Sequence, residues 1–249
     1  MPGARSLAGR RVVVIGAGSH TGRALALAAS AAGADLVLAG PDPRKLEWTA
    51  GELAGTGAAD LPGRVEVARV DLTDEASIAE LAAVVGPFDH LVSTAAMPAN
   101  GPLAELEPAA VRRAFDAKVI GPLLLAKHLA GQVAEGGSFT FFSGVAAWRP
   151  APARTVMATT NGALAFLVQA LAVEIAPGRV NAVSPGIVDT GSWDGLGAGK
   201  EGFLRTVAER NPARRVGSVD DLVQAVLFAM LSPYVTGTVL HVDGGGRLV

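Results

Sequence analysis

The stretch Arg11-Val-Val-Val-Ile-Gly-Ala-Gly-Ser-His-Thr-Gly22, with the Ala/Leu-rich run behind it, constrains this chain most. Val12 to Ile15 is a short run of β-branched residues, the pattern of a strand buried on both faces. Gly16, Gly18 and Gly22 turn the chain into a helix that reaches about Ala32 and stops at Gly33. A second apolar strand, Leu36 to Ala39, follows. Strand, glycine turn, helix and strand make the first unit of a doubly wound sheet that binds a dinucleotide. Glycines let the backbone approach a pyrophosphate, and the free N–H groups of a helix start favour its charge.

The remaining segments repeat the alternation. Strands are expected over Val65–Val70, Asp89–Thr94, Phe139–Phe142, Val180–Val183 and Val239–Val242. Asp74 reads as the N-cap of a helix running to Val85. A long helix starts at Pro108, runs toward Leu129 and is closed by Gly136-Gly137. Another spans about Thr155 to Ala176, and Ser218 caps a last one to Leu231. Residues 53–63 and the glycine-rich stretch Gly191 to Gly202 read as loops, the second as a mobile lid. The expected architecture is α/β: seven parallel strands, doubly wound, with helices on both faces and residues 1–249 as one domain.

Composition narrows the function. Half of the 249 residues are hydrophobic, 18% are charged and the net charge is −2. The pairs Arg44-Lys45, Arg112-Arg113 and Arg214-Arg215 are scattered, so no nucleic acid partner is expected. The chain has no cysteine, which removes disulfides and thiolate chemistry, and its four histidines lack ligand spacing, so no metal is expected. No signal-like segment opens it and its apolar runs are broken by Gly33, Asp35 or Gln169, so no membrane span is expected and a cytoplasmic location follows. At the end of the second strand stands Gly40, where an NAD site of this type places a carboxylate. With Arg44 and Lys45 beside it, NADP(H) is favoured over NAD(H), Asp42 leaving NAD open.

Taken in order, Gly16 to Gly22, Asp71-Leu72, Ser93-Thr-Ala-Ala96, Ser143 with its loop, Val180-Asn-Ala-Val-Ser-Pro-Gly186 and Thr236 to Gly245 resemble the short-chain dehydrogenase/reductase family over nearly the full length. The resemblance assigns Gly16, Ser19, His20, Thr21 and Gly22 to the cofactor phosphates, with Arg44 close to the ribose. It has Asp71 accept from the adenine amino group and Leu72 pack on the ring. Ser93, Thr94 and Ala95 line the cofactor, Pro185, Gly186 and Val188 wall the nicotinamide, and Thr190 contacts its carboxamide or a phosphate. It implies a small-molecule substrate and a homo-oligomer, as a tetramer built on the two long helices and the last strand.

The family's catalytic set is altered throughout. The proton-handling tyrosine falls on Met157, the lysine four residues later on Asn161, the serine on Gly144 beside Ser143, and the asparagine of the preceding long helix on Lys118. A thioether has no proton to give. His20 stands where the family's turn has a glycine, and the single tyrosine, Tyr234, lies elsewhere. Lys118 is expected to replace the lost cation. Pro122, four residues on, should free the Lys118 carbonyl and kink the helix. Ser143 is the candidate for orienting a carbonyl. The expected function is NADP(H)-dependent hydride transfer to or from a small carbonyl or alcohol; a catalytically silent nucleotide-binding protein and a non-redox enzyme on the same fold are the alternatives.

Overall fold

The computed structural model describes residues 6–55 and 63–249. Strands β1 (Arg11–Ile15), β2 (Asp35–Gly40), β3 (Val65–Arg69), β4 (Phe88–Ser93), β5 (Val133–Phe142), β6 (Arg179–Pro185) and β7 (Val239–Val242) form one sheet in the order 3-2-1-4-5-6-7. Every pairing is parallel. Each connection therefore crosses over, and helices cover both faces. The order reverses between β1 and β4, which opens a crevice at the carboxyl ends of the strands.

Side chains alternate between two cores. Val13, Ile15, Phe139, Phe141, Val180 and Ala182 face α3 (Glu75–Val85), α5 (Gly121–Leu129) and α6 (Thr155–Glu174). Val12, Val14, Leu36 and Leu38 face α1 (His20–Ala31), α2 (Pro43–Gly55) and α8 (Val219–Leu231). Full burial of one such side chain stabilises by about 1.5–3 kcal/mol, so continuous apolar strands are required here. Two helix starts match the expectation. Asp74 accepts from the Ala76 N–H at 3.0 Å, and Ser218 forms a reciprocal capping box with Asp221.

The structure corrects three readings. Gly136-Gly137 does not stop a helix: β5 already begins at Val133, and the pair lies where the β4–β5 register shifts between Phe88 and His90. Gly136 takes φ +76, and a β-carbon on Gly137 would overlap the Asp89 carbonyl, so both are bulge residues. The lid stretch is half structured, with a 3-10 segment (Asp194–Gly199) leading into α7 (Lys200–Arg210). That helix buries no residue, so it carries no apolar stripe to read. Of the loop expected over 53–63, residues 53–55 finish α2, and 56–62 lie outside the described residues. Helix α6 is long and apolar enough by composition to cross a membrane, yet it packs Val156, Leu164, Val168 and Leu171 into the protein core.

The long helix is interrupted near Pro122. It runs as α4 (Pro108–Phe115), a π-turn (Asp116–Ile120) and α5, with the Gly121 N–H reaching back to the Asp116 carbonyl. Proline cannot donate to the ladder, and the turn before it widens. Lys118 sits in that wide turn.

Candidate active site

Close approach makes the glycines of the first turn necessary. A β-carbon on Gly22 would overlap the Gly16 carbonyl, and one on Gly16 would overlap the Thr94 hydroxyl. One on Gly18 would come 2.8 Å from Lys45 Cβ. The turn is therefore a cradle pressed between the ends of β1 and β4 and the start of α2. Thr94 closes it by donating its N–H and hydroxyl to the Ile15 carbonyl at 3.0 and 3.2 Å. His20 is exposed and starts α1 at φ +23, a backbone region that side chains rarely adopt. Its imidazole lies over the bare α-carbon of Gly191, so it bridges the turn to the segment after Thr190.

At the adenosine end, Gly40 presents no carboxylate. Asp42 is drawn onto the start of α2, where it accepts from the Arg44 N–H at 3.1 Å. Asp71 accepts from the Thr73 N–H at 2.9 Å and its hydroxyl at 2.8 Å, bonds that hold its carboxyl below the usual range. Leu72 is buried in the core, and a β-carbon on Gly121 would come 2.9 Å from its Cβ.

Beyond β6, Pro185 and Gly186 turn against β7. A β-carbon on Gly186 would come 2.7 Å from the Asp243 backbone. Val188 is buried, bridges to Gly217, and its carbonyl accepts from Trp193 Nε1 at 3.0 Å. Thr190 and Ser192 hydroxyls meet at 2.9 Å. Lys200 ties the segment down through Asp189 at 2.8 Å and Asp194 at 2.7 Å, and Phe203 packs on Trp193 with centroids 4.8 Å apart.

Between these ends, β5, α6 and the π-turn carry the positions that the resemblance aligns with the family's catalytic set. Ser143 Oγ donates to the Asn161 carbonyl at 2.9 Å, so its proton is turned toward α6. Asn161 is 2% exposed, and its Nδ2 has no hydrogen-bond partner among the described residues. A β-carbon on Gly144 would stand 2.8 Å from that nitrogen. Glycine at 144 and asparagine at 161 are thus sterically coupled, a relation that spacing alone does not reveal. The Met157 sulfur is approached by Arg154 Nη1 at 3.9 Å. Arg154 is one of the polar groups that the sequence places near this site; that it has no carboxylate partner among the described residues appears only in three dimensions. Lys118 is 8% exposed and has no hydrogen bond or ion pair among the described residues. Burial pushes its pKa from the ordinary 10.5 to about 8.

The residues present fit a dinucleotide: a glycine cradle at a helix start, a carboxylate at the end of β3 and an apolar wall after β6, all at the carboxyl edge of the sheet. Comparison with known proteins agrees. A family model described as enoyl-(acyl carrier protein) reductase matches residues 16–246. L-xylulose reductase of Mesocricetus auratus is 32% identical over 96% of this chain and 97% of its own. The MalC reductase/Diels-Alderase of Malbranchea aurantiaca superposes with a TM-score of 0.91 at 30% identity, covering 98% of each chain. A small-chain dehydrogenase in complex with NADPH superposes with a TM-score of 0.78 at 32% identity, covering 96% of this chain and 99% of that one. With its seven-stranded parallel sheet and this match along nearly the whole length, the chain belongs to the short-chain dehydrogenase/reductase family.

Proposed function

We propose that this chain is an NADP(H)-dependent oxidoreductase acting on a small carbonyl or alcohol, with Lys118 handling the proton that the family's tyrosine would handle. The observation that carries the reading is Lys118 itself: a buried amine with no partner among the described residues, on a π-turn packed against α6, its pKa pushed down to about 8 by burial. A group titrating near the working pH can both give and take a proton. When bound, the reduced nicotinamide supplies a hydride to the carbonyl carbon. The carbonyl oxygen then takes a proton from the Lys118 ammonium, which returns to its charged form from solvent. Ser143 orients the carbonyl only by releasing its bond to the Asn161 carbonyl, and the Asn161 amide offers a further donor.

Several features support NADP(H). Gly40 leaves room without a carboxylate, Asp42 is occupied by α2, and Arg44 and Lys45 stand beside the turn. Gly16, Ser19, His20, Thr21 and Gly22 are proposed to hold the phosphates, Asp71 and Leu72 the adenine, Ser93, Thr94 and Ala95 the ribose side, and Pro185, Gly186, Val188 and Thr190 the nicotinamide. The protein is read as one domain, cytoplasmic, and a homotetramer. Exposed Ile120, Leu123, Phe166 and Val173 on the π-turn, α5 and α6 support self-association.

The test pairs binding with turnover. Lys118→Met should keep NADPH binding by fluorescence and lose NADPH oxidation over a carbonyl panel. Wild-type carbonyl reduction should fall as pH rises through about 8, where the acid is lost. Wild-type turnover in Lys118→Met overturns the assignment. Met157 and Asn161 favour a second reading, a silent nucleotide-binding protein or a non-redox enzyme; the name of MalC itself couples a reductase with a Diels-Alderase. NADPH binding by the wild type without turnover would select it.

A further inference from the structure

The charges around the altered centre point to the substrate. The loops that surround it are almost free of carboxylates: no Asp or Glu occurs between His90 and Ala104, or between Gly136 and Val173. The same stretches place Arg149 and Arg154 on the loop that leads from β5 to α6. This loop lies against the one after β4, through a Gly101 N–H bond to the Ala153 carbonyl at 3.1 Å.

Arg154 is half-buried and turns its guanidinium onto the sulfur of Met157. A thioether is a weak acceptor and neutralises nothing. Arg154 has no carboxylate partner among the described residues, and Arg149 bonds only the Gly246 carbonyl at 3.1 Å. The buried Lys118 is likewise unpaired among the described residues.

The carboxylates at this edge are already engaged. Asp189 and Asp194 hold Lys200, and the buried Asp243 holds Arg247 at 2.9 Å. Asp116 is two residues from Lys118 on a helical turn, a spacing that does not bring side chains face to face. Glu105 and Glu107 are exposed, beyond the loop at the entry to α4. A dinucleotide's phosphates would lie over the start of α1, at the other end of the site. Arg154, beside Met157, is therefore left for the substrate. A guanidinium presents a planar fork that matches a carboxylate with two parallel hydrogen bonds.

We propose that the substrate is an oxo acid (or the matching hydroxy acid), and that Arg154 holds its carboxylate beside the reacting carbon. This rests on the oxidoreductase reading above and adds the substrate class. It separates the chain from a reductase of neutral sugars, because the guanidinium lies 3.9 Å from the sulfur of Met157, the residue that the resemblance aligns with the family's tyrosine.

Matched pairs test it: 2-oxobutyrate and acetoacetate, each against its methyl ester, titrated by calorimetry into the NADP+-loaded protein. The acids should bind at least about tenfold more tightly than the esters, the range of a charge-assisted hydrogen bond. Arg154→Gln should erase that preference with NADPH affinity unchanged, and Arg154→Lys should retain part of it. An ester that binds as tightly as its acid, or a preference that survives in Arg154→Gln, overturns the proposal. Failure to bind NADP(H) would instead overturn the oxidoreductase reading, and the same titrations on nucleotide-free protein would still decide the carboxylate.

Discussion

Lys118 should make the protein less stable than the same fold without it, and the deficit should depend on pH in a calculable way. Its ammonium is enclosed without a counter-charge, and burial lowers its pKa from 10.5 to about 8. In the unfolded chain the amine keeps the ordinary value, so between pH 8 and 10.5 the unfolded state binds more protons than the native one. Stability then rises with pH across that window. Below pH 8 the native amine is protonated as well, and the penalty is complete. At 1.36 kcal/mol per pKa unit, the 2.5-unit drop costs about 3 kcal/mol at pH 7. Lys118→Met removes the charge and keeps most of the volume. Urea denaturation of both proteins at pH 7, 8, 9 and 10 should show the variant more stable by about 3 kcal/mol at pH 7, with the gap closing toward pH 10.5. A gap independent of pH, or a variant no more stable than wild type at pH 7, would refute the idea that a lone buried ammonium sits there. A stability gain together with lost turnover is the pattern of a residue kept for chemistry.

Two further outcomes follow. Gly22→Ala forces a β-carbon into the Gly16 carbonyl; the turn must shift, so NADPH fluorescence titration should show loss of binding and urea melts a destabilisation of roughly 1–3 kcal/mol. Phe166→Glu places a charge on the exposed apolar face of α6; light scattering should show a tetramer dissociating to a smaller species, and an unchanged mass would place the contact elsewhere.

The parts of the fold legible in the sequence are those set by local pattern. Val12 to Ile15 had to be a strand buried on both faces, and Asp74 and Ser218 announced helix starts that the structure shows capped. Reading failed where long-range contact overrode local pattern. Gly136-Gly137 resembles a helix stop, and only pairing with β4 makes it a bulge. The helix α7 has no apolar stripe, because Lys200 and Phe203 anchor it from its first turn to Asp189, Asp194 and Trp193. Pro122 did announce a break, but the form it takes, a π-turn holding Lys118, came from the structure.

For the site, the sequence by itself determined the inventory: a glycine-rich turn, no acid at Gly40, and Met157 and Asn161 at the positions that the resemblance aligns with the family's tyrosine and lysine. Motif spacing carries this much because each motif is a run of neighbouring residues, even where a distant residue such as Thr94 or Asp243 closes the turn. The tertiary structure alone decided which groups have partners. That, among the described residues, Asn161 Nδ2 is orphaned against Gly144, Ser143 gives its proton to α6, and Lys118 and Arg154 have no counter-ion are properties of segments far apart in sequence. Burial and charge pairing are set by the packing of β5, α6 and the π-turn at the carboxyl edge of the sheet, and no one-dimensional pattern encodes them.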